Sequence, residues 1–247
     1  MALADRPYFQ YEPRARRRPP LGPFGELYAR APVTTSLIVI NVAVFLIDHL
    51  LPPYIVSTPR HYAIQISRLD YWGHFSASTV IYQLQLWRIL TFQFLHANST
   101  HLIFNMLSLY IFGPMVEQHL GSRRYLRFYL ICGMGGAVAY LGLWAKGILI
   151  GDPWQPLVGA SAGIFGVLVA AAQVAPDATV MLLFPPIPMR LRTLAWAFIA
   201  IAVYTVFTRG NNAGGEAAHL GGAIAGFLLM QGEKMMGRGE RRGYFDG

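Results

Sequence analysis

Apolar segments recur along most of this chain and are separated by shorter polar stretches. The first begins after Pro32, a residue that favours the first turn of a helix, and runs through SLIVINVAVFLI to about residue 50. Five more follow, at about residues 94–115, 125–145, 159–175, 190–207 and 217–231. These segments approach the length of about 20 apolar residues with which a helix crosses a bilayer. The pattern predicts an all-α membrane protein with six transmembrane helices between residues 32 and 231.

Two connections have patterns of their own. Residues 51–91 are irregular and broken by prolines, but aromatic residues recur through them, which is typical of the membrane interface. We therefore predict a long interfacial first outer loop. The stretch ATVMLLFPPIPM, residues 178–189, is apolar but too short to cross a bilayer, and it contains three prolines. It is predicted to be a connection that lies on the membrane surface.

The composition favours the same location. Only 13% of the residues are charged, whereas soluble domains have about 25%. Apolar residues make up 54% of the chain, and the mean hydropathy is +0.39. Charge is too scarce to cover a water-facing surface, so the composition excludes a soluble globular protein.

The net charge of +8 has a distribution that predicts orientation. In the six-helix interpretation, 15 of the 20 Lys and Arg residues fall on the side of the N-terminal tail, which is the cytoplasmic side by the positive-inside rule. Residues 1–31 and 232–247 are then basic cytoplasmic tails around a membrane domain at 32–231. Because the charge follows the membrane, nucleic acid is not expected as a partner. Acidic residues in the first tail argue against a transit peptide and favour a bacterial plasma membrane.

Polar side chains are costly in hydrocarbon and mark candidate sites, and here they form three groups near the predicted outer ends of the segments. The first is His96, His101 and Asn105; the second is Ser161, between Gly159 and Gly163; the third is His219, followed by Gly222 and Gly226. Small residues four apart allow helices to approach closely, which predicts that the last segment packs against the Gly159 and Gly163 face. That packing places His219 beside Ser161.

The spacing of these residues alone is also compatible with other functions. The glycines are also typical of simple helix packing, and a lone histidine is usually a hydrogen-bonded packing residue. The five-residue spacing of His96 and His101 does not match a zinc-binding helix, so neither a metal nor another cofactor is expected. The single Cys132 is expected to be a buried packing thiol.

Taken in chain order, the motifs resemble those of the rhomboid family of intramembrane serine proteases, in its six-helix bacterial form. The resemblance covers about residues 32–230. It is carried by Trp87-Arg88, the set His96, His101 and Asn105, the run GPMVEQHLG with Glu117, the GASAG around Ser161, and AHLGGAIAG from Ala218.

The resemblance implies a catalytic dyad, with Ser161 as nucleophile and His219 as general base. It also implies an oxyanion site made by the Ser161 backbone N–H and the His101 and Asn105 side chains. Phe165 is expected to stack on the imidazole.

Supporting positions are expected at His96, Gly159, Gly222 and Gly226. Trp87, Arg88 and Glu117 are expected to be structural, with Arg88 at the interface and Glu117 bonding a helix end. Glu216 is the one acidic residue that could orient His219, but an exposed charge at the end of a loop is the preferred interpretation. Ala162 departs from the glycine common in relatives, and its methyl is expected to narrow the substrate channel.

The function implied is endoproteolysis of single-span or polytopic membrane-protein substrates near the outer face of the bilayer. The resemblance implies that the Gly-rich stretch TRGNNAGG, residues 208–215, caps the site, while an ordinary connecting loop fits the same residues. A catalytically silent rhomboid-like escort is a competing interpretation, against which both Ser161 and His219 argue by being present. A small transporter with a histidine relay is another, but the sequence has no internal repeat that would indicate one.

Overall fold

The computed structural model describes residues 22–57, 63–149, 152–182 and 185–243, and this part of the chain is mostly helical. Its helices are α1 (Pro23–Arg30), α2 (Pro32–Leu50), α3 (Arg68–Gly73), α4 (Arg88–Thr91), α5 (Ser99–Leu120), α6 (Ser122–Ala145), α7 (Ser161–Val174), α8 (Leu191–Phe207) and α9 (Ala213–Gly243). Short strands form two antiparallel hairpins, β1 (Tyr54–Ser57) with β2 (Ala63–Ile66), and β3 (Thr179–Met181) with β4 (Pro188–Arg190).

Three helices are long and apolar enough to cross a membrane, namely α2, α5 and α6. The apolar helices α7 and α8 are shorter. Helix α9 begins at Ala213, contains the apolar segment predicted at 217–231 and continues into the polar C-terminal region. The helices begin and end within a few residues of the predicted segments, except that α5 is shifted and α9 is longer at both ends.

Helix α9 lies at the centre of the packing and contacts α6 and α7 most extensively. Side chains from α2, α5, α6, α7 and α8 form the larger apolar core. A second core, which includes Phe75, Phe92, Tyr140 and Val206, lies where the outer loop meets α6, α8 and the start of α9. This arrangement places the first turns of α7 and α9 side by side.

Residues 51–91 are more ordered than the prediction of an irregular loop. They contain the β1–β2 hairpin, α3, a π-helical turn at Ser78–Tyr82 and α4. The backbone of Phe75 pairs with Leu157 in both directions, and the Gly159 N–H donates to the Phe92 carbonyl. The loop is therefore attached to the chain that enters α7.

Three parts of the chain contain elements that the hydropathy pattern did not predict. Residues 178–189, predicted to be a surface connection, include a hairpin in which Val180 pairs with Met189. The N-terminal tail includes α1, which begins at a helix-favouring proline, and α9 extends through most of the C-terminal tail. Parts of the tail, outer-loop and connection predictions fall on residues outside the described ones, namely 1–21, 58–62, 183–184 and 244–247.

Candidate active site

Ser161 is the first residue of α7, and it follows Ala160, which makes no side-chain cap. The first N–H groups of a helix have no partner within the helix, and the helix dipole makes this end electropositive. The Ser161 hydroxyl is therefore placed beside backbone donors that can stabilise negative charge. The first turn is held by the bond from the Ile164 N–H to the Ala160 carbonyl.

Gly159 shapes the approach to this helix. Its φ is +133°, a conformation that residues with a side chain rarely adopt. A Cβ atom at this position would lie 2.8 Å from the His101 Nε2 and 3.5 Å from the Ser161 Oγ. The absence of a side chain thus lets the His101 imidazole lie close to the start of α7.

His219 lies in the second turn of α9 and contacts Ser161 directly. The distance between its Nε2 and the Ser161 Oγ is 2.7 Å, which is a hydrogen bond. Phe165, one turn after Ser161 on α7, stacks on the imidazole with ring centroids 4.2 Å apart and planes 9° apart. The Ser161 hydroxyl and the His219 imidazole are therefore in contact, and the Phe165 ring holds the imidazole in place.

The other nitrogen of His219 also has a partner. Its Nδ1 lies 2.9 Å from the Glu216 Oε2, and both side chains are mostly buried, at 16% and 18% exposure. A carboxylate accepts only, so the Nδ1 carries the proton and donates it, while the Nε2 accepts from the Ser161 hydroxyl. The expectation that Glu216 is an exposed loop charge is wrong, because α9 begins at Ala213 and includes Glu216 in its first turn.

Glycines bring α9 against α7, but with a pairing that differs from the predicted one. A Cβ atom on Gly222 would collide with the Ala162 carbonyl, and one on Gly226 would meet the Gly166 backbone. Gly163 instead faces Tyr129 of α6, because it lies one residue farther around the helix. The close approach therefore follows Ala162 and Gly166, which are four residues apart on one face.

Ala162 does not have the expected position either. Its side chain is buried, and a Cβ atom on Gly136 of α6 would lie 2.6 Å from the Ala162 Cβ. The methyl group points into the packing of α7 against α6, where it cannot narrow a path to Ser161.

The start of α5 supplies the remaining polar groups. His101 and Asn105 are one turn apart on this helix, which Asn98 caps by accepting from the His101 N–H at 2.9 Å. The Asn105 Nδ2 is buried and makes no hydrogen bond within the described residues. The His96 ring is buried and packs edge-on against His101, with centroids 5.1 Å apart. The Asn105 amide is an available donor on the helix beside Ser161.

Glu117 and Arg88 organise the structure around the site. The Glu117 carboxylate is buried and accepts from the N–H groups of Val33 and Thr34, the Thr34 hydroxyl and the Ser122 hydroxyl. It therefore satisfies the free donors at the start of α2, as its predicted helix-end bonding requires. Arg88 is not an exposed interface residue, because its buried guanidinium donates to the carbonyls of Tyr71 and His74.

Trp87, the neighbour of Arg88, is exposed, and its indole N–H donates to the Trp72 carbonyl at 3.1 Å. Sequence reasoning did not identify Phe198 of α8, whose ring packs edge-on against Phe165 with centroids 6.0 Å apart. It considered Glu216 as a partner of His219 but preferred a loop charge, although the three-residue spacing of the two residues is compatible with contact on one helix.

A serine hydroxyl bonded to a neutral imidazole at a helix N-terminus can act as a nucleophile in acyl transfer. This chemistry agrees with the comparisons. The family model described as the Rhomboid domain matches residues 83–232, more than half of the chain and all of the site described above.

Individual relatives are similar over a comparable length of the chain. The rhomboid protease AarA of Providencia stuartii is 34% identical over an alignment of 165 positions that covers 60% of this chain and 58% of that protein. The rhomboid protease GluP of Bacillus subtilis is 35% identical over 156 residues, 61% of this chain and 27% of that protein. RHOMBOID-like protein 1 of Arabidopsis thaliana is 31% identical over 161 residues, 65% of this chain and 38% of that protein. The chain thus spans from about a quarter to somewhat over half of the length of these relatives.

Proposed function

Since this chain belongs to the rhomboid family, we propose that it is an intramembrane serine endopeptidase that cleaves transmembrane segments of membrane-protein substrates. The observation that carries the proposal is the 2.7 Å contact between the Ser161 Oγ and the His219 Nε2 at the N-terminus of α7. Two of the relatives are named rhomboid proteases, and the family match at residues 83–232 includes both Ser161 and His219.

In the proposed reaction, His219 takes the Ser161 proton at Nε2 while the Oγ bonds to the carbonyl carbon of the scissile peptide. The tetrahedral intermediate collapses as the peptide C–N bond breaks, and the imidazolium returns its proton to the leaving amine. Water then attacks the acyl-enzyme, with His219 again acting as base, and frees the Ser161 hydroxyl. No cofactor is required for these steps.

The carbonyl oxygen becomes negatively charged in the intermediate and needs hydrogen-bond donors. We assign this role to the Ser161 backbone N–H and to the side chains of His101 and Asn105. The assignment is supported by the Asn105 Nδ2, which has no hydrogen-bond partner in the described part of the chain, and by the closeness of the His101 ring to Gly159. His96 packs behind His101 and would keep its ring in place.

We further propose six transmembrane segments, formed by α2, α5, α6, α7, α8 and the apolar part of α9. In this proposal the shorter α7 starts within the membrane. The chain before Ser161 is held there by the outer loop, through its backbone bonds to Phe75 and Phe92. Ser161 and His219 then face the outer side, while both tails, 1–31 and 232–247, are cytoplasmic. With the acid-containing first tail, this favours the plasma membrane of a bacterium.

The proposal is tested by cleavage of a model single-span substrate in liposomes, together with labelling by a fluorophosphonate probe that reacts with activated serines. We expect the wild-type protein to cleave and to be labelled, and Ser161→Ala and His219→Ala to do neither. Ser36→Ala and His119→Ala are matched controls, because these exposed residues lie on α2 and α5 outside the site.

The controls should retain wild-type rates of cleavage and labelling. A folded wild-type protein that neither cleaves nor reacts would overturn the proposal and favour a membrane-protein binding function without catalysis. Equal cleavage by Ser161→Ala would exclude Ser161 as the nucleophile.

A further inference from the structure

The contact between Glu216 and His219 is not required by a mechanism that uses only a serine and a histidine. The Glu216 Oε2 lies 2.9 Å from the Nδ1 of His219, on the side of the imidazole opposite Ser161. Serine, imidazole and carboxylate therefore form one continuous chain of hydrogen bonds. Stacking by Phe165 holds the ring plane but cannot decide which nitrogen carries the proton.

The proton position matters because only an unprotonated Nε2 can accept from the Ser161 hydroxyl. A neutral imidazole carries its proton on either nitrogen, and the hydrogen bond made by the other nitrogen selects between the two forms. A carboxylate at Nδ1 favours the form in which Nδ1 is the donor. Glu216 would thus increase the fraction of the protein in which His219 is ready to act as base.

The negative charge of Glu216 also favours the action of His219 as a base. When Ser161 attacks, His219 becomes an imidazolium, and a carboxylate at 2.9 Å stabilises that cation. Among the described residues that face the imidazole, His101 on α5 is the other titratable group, and Ser161 and Phe165 on α7 are uncharged. Glu216 is therefore the anion that the structure describes in contact with this histidine.

We propose that Glu216 is a positioning residue that completes a Ser161–His219–Glu216 triad in this chain. The inference rests on the proposed function, and it adds a third residue to the pair that the family resemblance implied. The alternative is a structural role, since an acidic residue in the first turn of α9 also interacts favourably with the helix dipole. The two roles make different predictions for a variant that remains folded. Loss of the carboxylate lowers the cleavage rate of such a variant only if Glu216 positions His219.

The test compares purified wild type, Glu216→Gln, Glu216→Asp and Glu216→Ala for substrate cleavage, fluorophosphonate labelling and melting temperature. Replacing the carboxylate of a buried triad by an amide lowers kcat about 10⁴-fold. Because Phe165 also holds the ring, we expect a smaller loss for Glu216→Gln, about 10- to 100-fold in kcat with KM unchanged. Labelling should slow by a similar factor.

Two further variants separate positioning from structure. Glu216→Asp keeps the charge near the helix end but has a shorter reach, so it should recover part of the rate. Formate added to Glu216→Ala should raise its kcat by supplying a carboxylate at Nδ1, which a purely structural role does not allow. Glu233→Gln changes a carboxylate farther along α9 that pairs with Arg124; it is the matched control and should cleave at the wild-type rate.

The outcomes distinguish this inference from the proposed function. If wild type cleaves and Glu216→Gln keeps the same kcat, the triad is wrong and the Ser161–His219 mechanism stands. If activity is lost only in proportion to the unfolded fraction, and formate restores none of it, Glu216 is a helix-end residue and the triad is wrong. If the wild-type protein is neither labelled nor active, the proposed function is wrong, and the triad inference that rests on it is wrong as well.

Discussion

Asn105 provides the clearest single-residue test of the oxyanion assignment. Its buried Nδ2 has no hydrogen-bond partner among the described residues, so its removal leaves no other described group unpaired. We expect Asn105→Ala to lower kcat about 100-fold, the loss typical of one oxyanion donor, without lowering the melting temperature. Steady-state cleavage and thermal unfolding in the same detergent check both parts.

Ser108→Ala, on the same helix and bonded only to the Phe104 carbonyl in the structure, is the control for Asn105→Ala. An Asn105→Ala protein with the wild-type kcat would exclude the amide from the oxyanion site. A large fall in melting temperature would instead indicate that the amide is a structural group.

Asp70, in the outer loop, should make stability depend on pH. Burial, and secondarily the nearby Asp48 carboxylate, raise the pKa of Asp70 to about 6 from 3.8. The folded protein binds this proton more tightly than the unfolded chain, so the contribution to stability is full below about pH 4 and is lost as pH rises through 6. Asp70→Asn should therefore be more stable than wild type above pH 6, on the order of 1 kcal/mol with solvent screening.

Melting temperatures of wild type and Asp70→Asn between pH 4 and 8 check this prediction. The two curves should converge towards pH 4. Asp152→Asn, which changes an exposed carboxylate in another loop, serves as the comparison. A constant difference between Asp70→Asn and wild type at every pH would show that the carboxyl does not titrate differently in the folded state.

At the scale of helices, the approach of α9 to α7 depends on Gly222. A Cβ atom there would collide with the Ala162 carbonyl, which is backbone and cannot move without moving α7. Overpacking typically costs about 1–3 kcal/mol. We expect Gly222→Ala to lower the melting temperature and, by displacing His219 from Ser161, to reduce cleavage at least about 100-fold.

Gly142→Ala is the matched control, because a Cβ atom on this α6 glycine meets nothing within 4 Å. Alanine is favoured over glycine in a helix by about 0.5–1 kcal/mol, so this variant should be slightly more stable and fully active. Wild-type stability and activity in Gly222→Ala would contradict the described packing of α9 on α7.

Glu117 joins the start of α2 to the junction of α5 and α6. Its two carboxylate oxygens accept bonds from Val33, Thr34 and Ser122. In Glu117→Gln, an NH₂ group replaces one acceptor and faces these donors, so we expect a loss of about 2–4 kcal/mol in the free energy of unfolding. Denaturant unfolding measures this loss, with Glu233→Gln, whose partly exposed carboxylate pairs with Arg124, as the control. Equal losses in the two variants would show that burial of Glu117 is unimportant.

The helices themselves were largely predictable, because long apolar segments need no tertiary information to be recognised. The proximity of Ser161 and His219 could also be predicted from glycines near each residue, although the predicted pairing was wrong in detail. Which face of α7 meets α9 depends on helix rotation, and hydropathy does not specify it. The structure selects Ala162 and Gly166 over Gly159 and Gly163.

Polar contacts were harder to predict than helices. Glu216 precedes the apolar segment at 217–231, so hydropathy assigned it to a loop, whereas α9 begins three residues earlier at Ala213. The β3–β4 hairpin was missed because its prolines indicated only a break, although Pro188 is tolerated at the end of a strand. Arg88 was misplaced because its carbonyl partners, Tyr71 and His74, come from a loop without periodic pattern.

At the scale of the whole molecule, the proposed orientation makes opposite predictions for the two ends of α7. This helix runs from Ser161 to Val174, so the loop at 152–158 and the β3–β4 hairpin lie beyond its opposite ends. By the positive-inside rule, Arg190 and Arg192 place the hairpin on the cytoplasmic side. The loop at 152–158 is then on the outer side. Cysteines introduced at the exposed residues Trp154 and Met181 can report these locations.

Intact cells that express Trp154→Cys should react with a membrane-impermeant maleimide, and cells that express Met181→Cys should not. The wild-type protein is a suitable background, since its one cysteine, Cys132, is fully buried. Met181→Cys should react once the membrane is dissolved in detergent, which shows that the thiol is accessible. The reverse labelling pattern would place Ser161 and His219 towards the cytoplasm, and labelling of both variants in intact cells would mean that α7 does not separate two compartments.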